Sequence, residues 1–457
     1  MKHFDAIIIG TGQAGPSLAG RFSDAGMTVA IIERNKFGGT CVNTGCIPTK
    51  TMVASAYAAH VARRGDEYGF PACDVRIDMK RVKARKDAVS GRSNKGVEEG
   101  LRGLKNCTVI QGHARFQSPR AVAVNGEVLE ADKIYINVGG RAAVPEMPGI
   151  HAVPFLTNSS MMEVDFLPEH LVIVGGSYVG LEFAQMYRRF GSAVTVVEMG
   201  PRLIGREDED LSQAVREIME AEGIRVRLNA KCISFEKRGG QAVVHMDCVE
   251  GERDVLGSHV LLAVGRIPNT SDLGLERTGI ATDDRGYIIV DDQLQTKERG
   301  VWALGDCNGR GAFTHTSYND YEIVADNLFN ADHRRVSDRI QAYALYIDPP
   351  LGRCGMTESE VRKSGRRALM TKYPMSKVSR AYEKGETQGF IKICVDAETK
   401  EILGAAILGV GGDEVIHVLL DVMYAKAPYT VIQRAMHIHP TVAEYLPTVL
   451  AKLKPMA

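Results

Sequence analysis

The chain has 457 residues, 44% hydrophobic and 25% charged, the composition of an ordinary globular protein of about three domains. Its 56 Lys and Arg balance 56 Asp and Glu with no basic block, which speaks against nucleic acid or a membrane surface as partner. The first apolar strand is too short for a signal-peptide core, no apolar run reaches roughly 18 residues, and nine scattered cysteines make no secreted disulfide framework; the expected home is the reducing cytoplasm.

The N-terminal element recurs. Residues 5–35 align without a gap on residues 170–200. Gly10 falls on Gly175, Gly12 on Ser177, Gly15 on Gly180, Ala19 on Ala184, Gly26 on Gly191 and Glu33 on Glu198. Each copy reads as a buried strand, a glycine turn, an amphipathic helix, and a second strand ending in a carboxylate. One Gly-x-Gly-x-x-Gly alone is weak, since glycine turns are common, but here the strand, helix and distal carboxylate that give it meaning appear twice. The glycines let backbone amides at a helix N-terminus approach a pyrophosphate, and Glu33 and Glu198 can each accept from an adenosine ribose. Ser177 stands where a middle glycine is usual and is small enough for binding to survive. A carboxylate at Glu198 favours a free 2′-hydroxyl, hence NADH, while Arg202 close by keeps NADPH open.

Just past the first copy comes Gly38-Gly39-Thr40-Cys41-Val42-Asn43-Thr44-Gly45-Cys46-Ile47-Pro48-Thr49-Lys50. Four residues between the cysteines do not suit a zinc site. Five residues of regular helix rise about 7.5 Å, beyond the roughly 7 Å between alpha carbons that a disulfide spans. If the pair bonds, the chain between must leave ideal helix, and Gly45 would ease that. Pro48 fits the first turn of a helix starting just after Cys46, and Lys50 would share a face of it with Cys46. The functional reading is a redox-active disulfide; the bland one is two unrelated thiols in a glycine-rich loop. Cys73, Cys107, Cys232, Cys248, Cys307, Cys354 and Cys394 have no partner in the sequence pattern and are assigned to packing.

Further on, residues 141–150 form a proline-containing link and 264–270 another crossing. Asp348-Pro349-Pro350 opens a C-terminal third with strands over 388–396 and 403–410 and helices around 413–426, 429–436 and 440–453. The fold class is α/β: two Rossmann-like dinucleotide-binding domains and a C-terminal α+β domain. The expected divisions are 1–147 and 271–345 for the first nucleotide domain and central part, 148–270 for the second, and 346–457 for the last.

Taken together these motifs resemble the class I pyridine nucleotide–disulfide oxidoreductases, the family of dihydrolipoyl dehydrogenase, glutathione reductase and mercuric reductase, over essentially the whole chain. Val301-Trp302-Ala303-Leu304-Gly305-Asp306 is similar to the family's second FAD motif, and Val264-Gly265-Arg266-Ile267-Pro268-Asn269 to its return from the nicotinamide domain. His437-Ile438-His439-Pro440-Thr441-Val442-Ala443-Glu444 is similar to its C-terminal signature. The resemblance implies FAD on the first unit, held by Gly10, Gly12, Gly15, Glu33, Thr40, Lys50, Ala114, Asp306 and Thr314. It implies NAD(P)H on the second, held by Gly175, Ser177, Gly180, Glu198 and Gly265. Electrons would pass from nicotinamide through flavin to a Cys41–Cys46 disulfide, Cys46 nearer the flavin and Cys41 exchanging with substrate. Lys50 would pair with Glu182, and His439, oriented by Glu444, would serve as acid–base for the other subunit of a homodimer. His437 reads as structural support, and no metal ligand set is expected.

The substrate is less legible. Mercuric reductases often end in a vicinal cysteine pair, whereas this chain ends Ala451-Lys452-Leu453-Lys454-Pro455-Met456-Ala457. Phe313-Thr314-His315-Thr316-Ser317-Tyr318-Asn319-Asp320-Tyr321 resembles mercuric-reductase-like and reactive-chlorine-response homologues, while His-x-His-Pro-Thr resembles lipoamide and glutathione types. Three readings follow: reductase of a small or protein disulfide, reductase of a metal ion or quinone, or a non-enzymatic NADH-sensing flavoprotein.

Overall fold

The computed structural model describes residues 2–72, 74–247 and 252–456; Cys73 and Cys248 lie outside them. The two copies of the repeat fold alike. In the first, strands Lys2–Ile9 and Val29–Glu33 run parallel, joined by helix Ala14–Asp24, and the strand Cys107–Gln111 extends that edge. On the other side Glu127–Ile136 lies parallel to Lys2–Ile9. Its far edge is shared: the first half pairs antiparallel with Ala121–Val124, the second half parallel with Val301–Ala303. In the second copy, helix Tyr178–Phe190 joins His170–Val174 to Ala193–Val197, which are flanked by His259–Leu262 and Arg225–Arg227. Both sheets thus carry the same order around the glycine turn, with the turn at the carboxyl ends of the strands, where such sheets bind nucleotides.

The strands form because they are apolar on both faces. Val29–Glu33 is buried throughout, as a parallel sheet covered by helices requires. The two crossings predicted near 141–150 and 264–270 meet: Gly140–Ala142 pairs antiparallel with Arg266–Pro268. A six-stranded antiparallel sheet follows, in the order Ala342–Leu345, Leu351–Gly355, Ile402–Leu408, Phe390–Asp396, Ala368–Pro374, Lys454–Pro455. Helix Gly412–Tyr424 packs on it.

Two expected helices are shorter than their patterns. The one around 429–436 is only Thr430–Arg434, and 440–453 is a 3-10 turn at Ala443–Tyr445 followed by Leu446–Leu450. Pro447 is the physical reason for the second: it lacks an N–H and fits only a helix's first turn, so the helix begins there.

Candidate functional site

The two glycine turns are cradles that a side chain would fill. A Cβ on Gly10 would come 2.3 Å from the Asn137 carbonyl oxygen, and one on Gly15 2.4 Å from that of Gly10. In the second copy a Cβ on Gly175 would come 2.3 Å from the Ala263 carbonyl, and one on Gly180 2.1 Å from that of Gly175. Gly10 and Gly175 also have φ of +102° and +116°, which an L side chain strains to adopt. The middle position differs: a Cβ on Gly12 would meet Asn137 Oδ1 at 2.9 Å, whereas Ser177 sits in extended backbone as the N-cap of its helix.

Each turn is braced by its distal carboxylate. Glu33 accepts from Thr11 N (3.0 Å), Thr11 Oγ1 (2.6 Å) and Asn35 N (2.8 Å). Glu198 accepts from Gly176 N (2.6 Å) and Gly200 N (2.7 Å). Arg202 does not turn to Glu198; it donates to the Gly205 carbonyl at 3.2 Å.

A cavity of about 1030 Å³ runs from the first cradle to the cysteines. Its wall includes Gly10, Gly12, Glu33, Thr40, Cys41, Cys46, Lys50, Ala114, Glu182, Asp306 and Thr314. Gly15 lies just behind, its N–H held by Asn137 Oδ1 at 3.1 Å. Gly265 is not on this wall; its carbonyl accepts from Ala143 N at 2.9 Å, and the neighbouring Arg266 faces the cavity, donating to Asp306 Oδ2 at 3.2 Å. The fit to FAD is therefore good at both ends: a side-chain-free cradle with a buried carboxylate at one, and the cysteine run at the other.

The cysteines sit on either side of a break in the helix. Gly39–Asn43 is a short helix carrying Cys41; Thr44 and Gly45 leave helical geometry, and Cys46 opens the 18-residue helix Cys46–Arg63. Gly45 is close to Thr40, whose carbonyl oxygen a Cβ would meet at 2.9 Å. In this dithiol form the charge belongs on Cys46. A hydrogen bond from Cys41, one from Thr314 (Oγ1 at 3.0 Å) and the Lys50 ammonium lower its thiol to about 6, against the opposing effect of burial. The same contact with Cys46, together with burial, pushes Cys41 upward. A helix N-terminus favours a thiolate as well.

Lys50 lies one turn along and pairs with Glu182 Oε2 at 2.5 Å, bridging the two nucleotide domains. Glu182 is fixed in turn by Tyr346 N at 3.0 Å, and the Tyr346 ring lies 4.6 Å from the Lys50 ammonium. His439 stands apart from this constellation. Its side chain is 75% exposed, and its Nδ1 faces both Glu444 oxygens at 3.0 and 3.1 Å. It is not on the cavity wall, while Met436 and Ile438 beside it are almost fully exposed.

Asn137, Arg266 and Tyr346 were not singled out from the sequence for this site. Asn137 is buried, with Nδ2 donating to the Leu304 carbonyl at 3.0 Å, so it ties the first glycine turn to the Asp306 segment. A signal existed, since Val138-Gly139 after one strand parallels Val264-Gly265 after another. The other described cysteines, Cys107, Cys232, Cys307, Cys354 and Cys394, are free thiols that do not line this cavity.

Comparison with known proteins agrees with the geometry. The family description "pyridine nucleotide-disulphide oxidoreductase" matches residues 4–320, and its dimerisation domain matches residues 341–450. The chain is 35% identical to the probable pyridine nucleotide-disulfide oxidoreductase RclA of Escherichia coli, covering 99% of this chain and all of that one. It is 33% identical to a dihydrolipoyl dehydrogenase of Thermus scotoductus (98% and 96% covered) and 31% identical to a mercuric reductase of Streptomyces lividans (97% and 94%). A solved Cu(II) complex of the HOCl-induced flavoprotein disulfide reductase RclA from Escherichia coli superposes with a TM-score of 0.90 at 34% identity, covering 99% of both chains.

Proposed function

The chain belongs to the pyridine nucleotide–disulphide oxidoreductases, and we propose that it reduces a small or protein disulfide through Cys41 and Cys46, with NADH as electron source. The family is a flavoprotein family using a pyridine nucleotide, and its electron route is NAD(P)H to FAD to disulfide. FAD, when bound, relays the electron pair from the nicotinamide to the disulfide; the remaining steps fall to this chain's own residues.

The observation that carries the reading is the division of labour between the thiols. The Cys41 hydrogen bond, Thr314 Oγ1 at 3.0 Å and the Lys50 ammonium favour the Cys46 thiolate, whereas the contact with Cys46 and burial favour the protonated form of Cys41. Cys41 is then the exchanging sulfur. Once its proton is removed, it attacks one sulfur of the substrate disulfide, forming a mixed disulfide and expelling the first thiolate. The Cys46 thiolate attacks Cys41, closing the intramolecular disulfide and expelling the second. Two electrons leave the protein; the Cys41 proton passes through the base to one product thiolate, and the second product takes its proton from solvent. The base is His439 of the partner subunit, oriented by Glu444; a positioned histidine of this kind contributes about 10²–10⁴-fold. Glu198 supports NADH, because its carboxylate stands where a 2′-phosphate would be repelled. No helix among the described residues is long and apolar enough to cross a membrane.

A metal-ion oxidant is the second reading. It is favoured by the mercuric reductase relatives and by the Cu(II) complex of RclA, and the same two thiols are soft ligands. The test is anaerobic reduction of the holoprotein with NADH, then disulfides, Cu(II), Hg(II) and quinones offered as oxidants. Turnover with disulfides that is lost in Cys41→Ser supports the proposal; turnover confined to metal ions or quinones overturns it.

A further inference from the structure

A second recess, of about 410 Å³, opens beside the flavin cavity and shares Gly140, Arg266, Asp306 and Ala312 with it. Four arginines line it: Arg206 from the nicotinamide domain, and Arg266, Arg285 and Arg310 from the crossing and the central segment. Its only carboxylates are Asp283 and Asp306. Asp306 is matched by Arg266. Asp283 turns one oxygen inward to the backbone, accepting from Arg285 N and Tyr287 N at 2.9 Å each. Among the described residues Arg206, Arg285 and Arg310 have no carboxylate within ion-pairing distance. The Arg310 guanidinium donates to the Val290 carbonyl at 3.1 Å, and Arg285 stands over the Tyr287 ring at 5.2 Å. The rest of the lining is uncharged, apolar at Ile267, Pro268, Ile288, Ile289 and Val290 and polar at Tyr287 and Asn308.

Three arginines from two domains line this recess against one carboxylate, Asp283, that pairs with none of them, so the recess is net positive and suits a multiply charged anion. Guanidinium forks match phosphate oxygens in pairs. We propose that this recess is an anion site for a diphosphate group, bridging Arg206 of the nicotinamide domain to Arg285 and Arg310 of the flavin side. Two arginine forks and a third cation suit two linked phosphates better than a single monoanion. Two sources carry that chemistry: a free inorganic diphosphate, or the diphosphate of a nucleotide held separately from the Gly175–Gly180 cradle. The recess does not include Gly175, Ser177, Gly180 or Glu198, so filling it need not displace a dinucleotide there. This inference stands whichever oxidant the thiols serve.

The test uses FAD-loaded protein with saturating NAD⁺, so both cradles are occupied, and titrates inorganic pyrophosphate or ADP calorimetrically at constant ionic strength. Expected is one pyrophosphate per chain, weakened at least tenfold by Arg206→Gln and by Arg310→Gln. ADP binding with the same arginine dependence assigns the nucleotide source; pyrophosphate alone assigns the free anion. A second measurement needs no variant: phenylglyoxal labelling of Arg206, Arg285 and Arg310, read by mass spectrometry, should slow several-fold when pyrophosphate is present. No binding above a matched sodium chloride control, binding unchanged in both variants, or labelling that pyrophosphate leaves unprotected overturns the proposal.

Discussion

Thr314 Oγ1 lies 3.0 Å from Cys46 Sγ, at the first residue of one helix facing the first residue of another. Two helix N-termini and a hydroxyl therefore converge on one sulfur, and each favours its anion.

From this contact follows the titration of the reduced enzyme. With the Cys46 thiol lowered to about 6, the thiolate is present at neutral pH and is lost as pH falls through that value. Two-electron reduction of the FAD-loaded protein should give a long-wavelength absorbance band from Cys46 thiolate against oxidised flavin, fading below about pH 6. Cys46→Ser should abolish the band, and Cys41→Ser should show it without reductant. Thr314→Val removes one lowering hydrogen bond and should move the midpoint upward. Two free thiols in the air-oxidised protein, with no band on reduction, would sink the redox-disulfide assignment.

How much of this could be read beforehand varies with the physics involved. The glycine cradles were legible because a backbone that forbids a Cβ leaves a fixed letter in the sequence, and the cysteine run because only a break such as Gly45 lets the thiols meet. Lys50 and Glu182 were paired only through family resemblance, since 132 positions separate them. The strands Ala342–Leu345, Leu351–Gly355 and Ala368–Pro374 escaped because little in them alternates; Leu351–Gly355 is buried on both faces. Tyr346 took its place from tertiary packing alone.

The Lys50–Glu182 pair carries its own expectation. Glu182 is 8% exposed and Lys50 34%, so the pair sits between a surface and a buried ion pair. Lys50→Met leaves Glu182 buried with the Tyr346 N–H as its remaining partner, and should cost about 1–2 kcal/mol in denaturant unfolding. It should also raise the Cys46 thiol, because the ammonium lowers it. Glu182→Gln should destabilise similarly but not raise the thiol. If alkylation of Cys46 shows the same pH midpoint in wild type and Lys50→Met, Lys50 does not act on the thiolate.

NADH should outrun NADPH by at least tenfold in flavin reduction. Both oxygens of Glu198 are fixed by backbone amides, so the carboxylate cannot swing away from a 2′-phosphate, and that tenfold corresponds to about 1.4 kcal/mol. Stopped-flow reduction by each cofactor measures it, and Glu198→Gln should narrow the ratio. Equal rates would show that Arg202 leaves the Gly205 carbonyl to meet the phosphate.

The exposed His439 is the remaining piece. It is held by Glu444 yet stands 75% exposed and off the cavity wall, within a segment matching the family's dimerisation domain. A base with nothing to act on in its own chain is expected to act on the other, facing Cys41 across a two-fold interface. Mixing His439→Ala protein with Cys41→Ser protein, after reversible dissociation, tests this. Each parent should be nearly inactive towards disulfides, because one lacks the base at both sites and the other the exchanging sulfur. In a mixed dimer one site has both defects and the other has neither. Activity should rise to about half that of wild type per mixed dimer if the sites act independently. A one-electron quinone, which needs no proton from this base, should be far less sensitive to His439→Ala. Mixed dimers shown to have formed, but still inactive, would put His439 and Cys41 in the same subunit and remove the shared site.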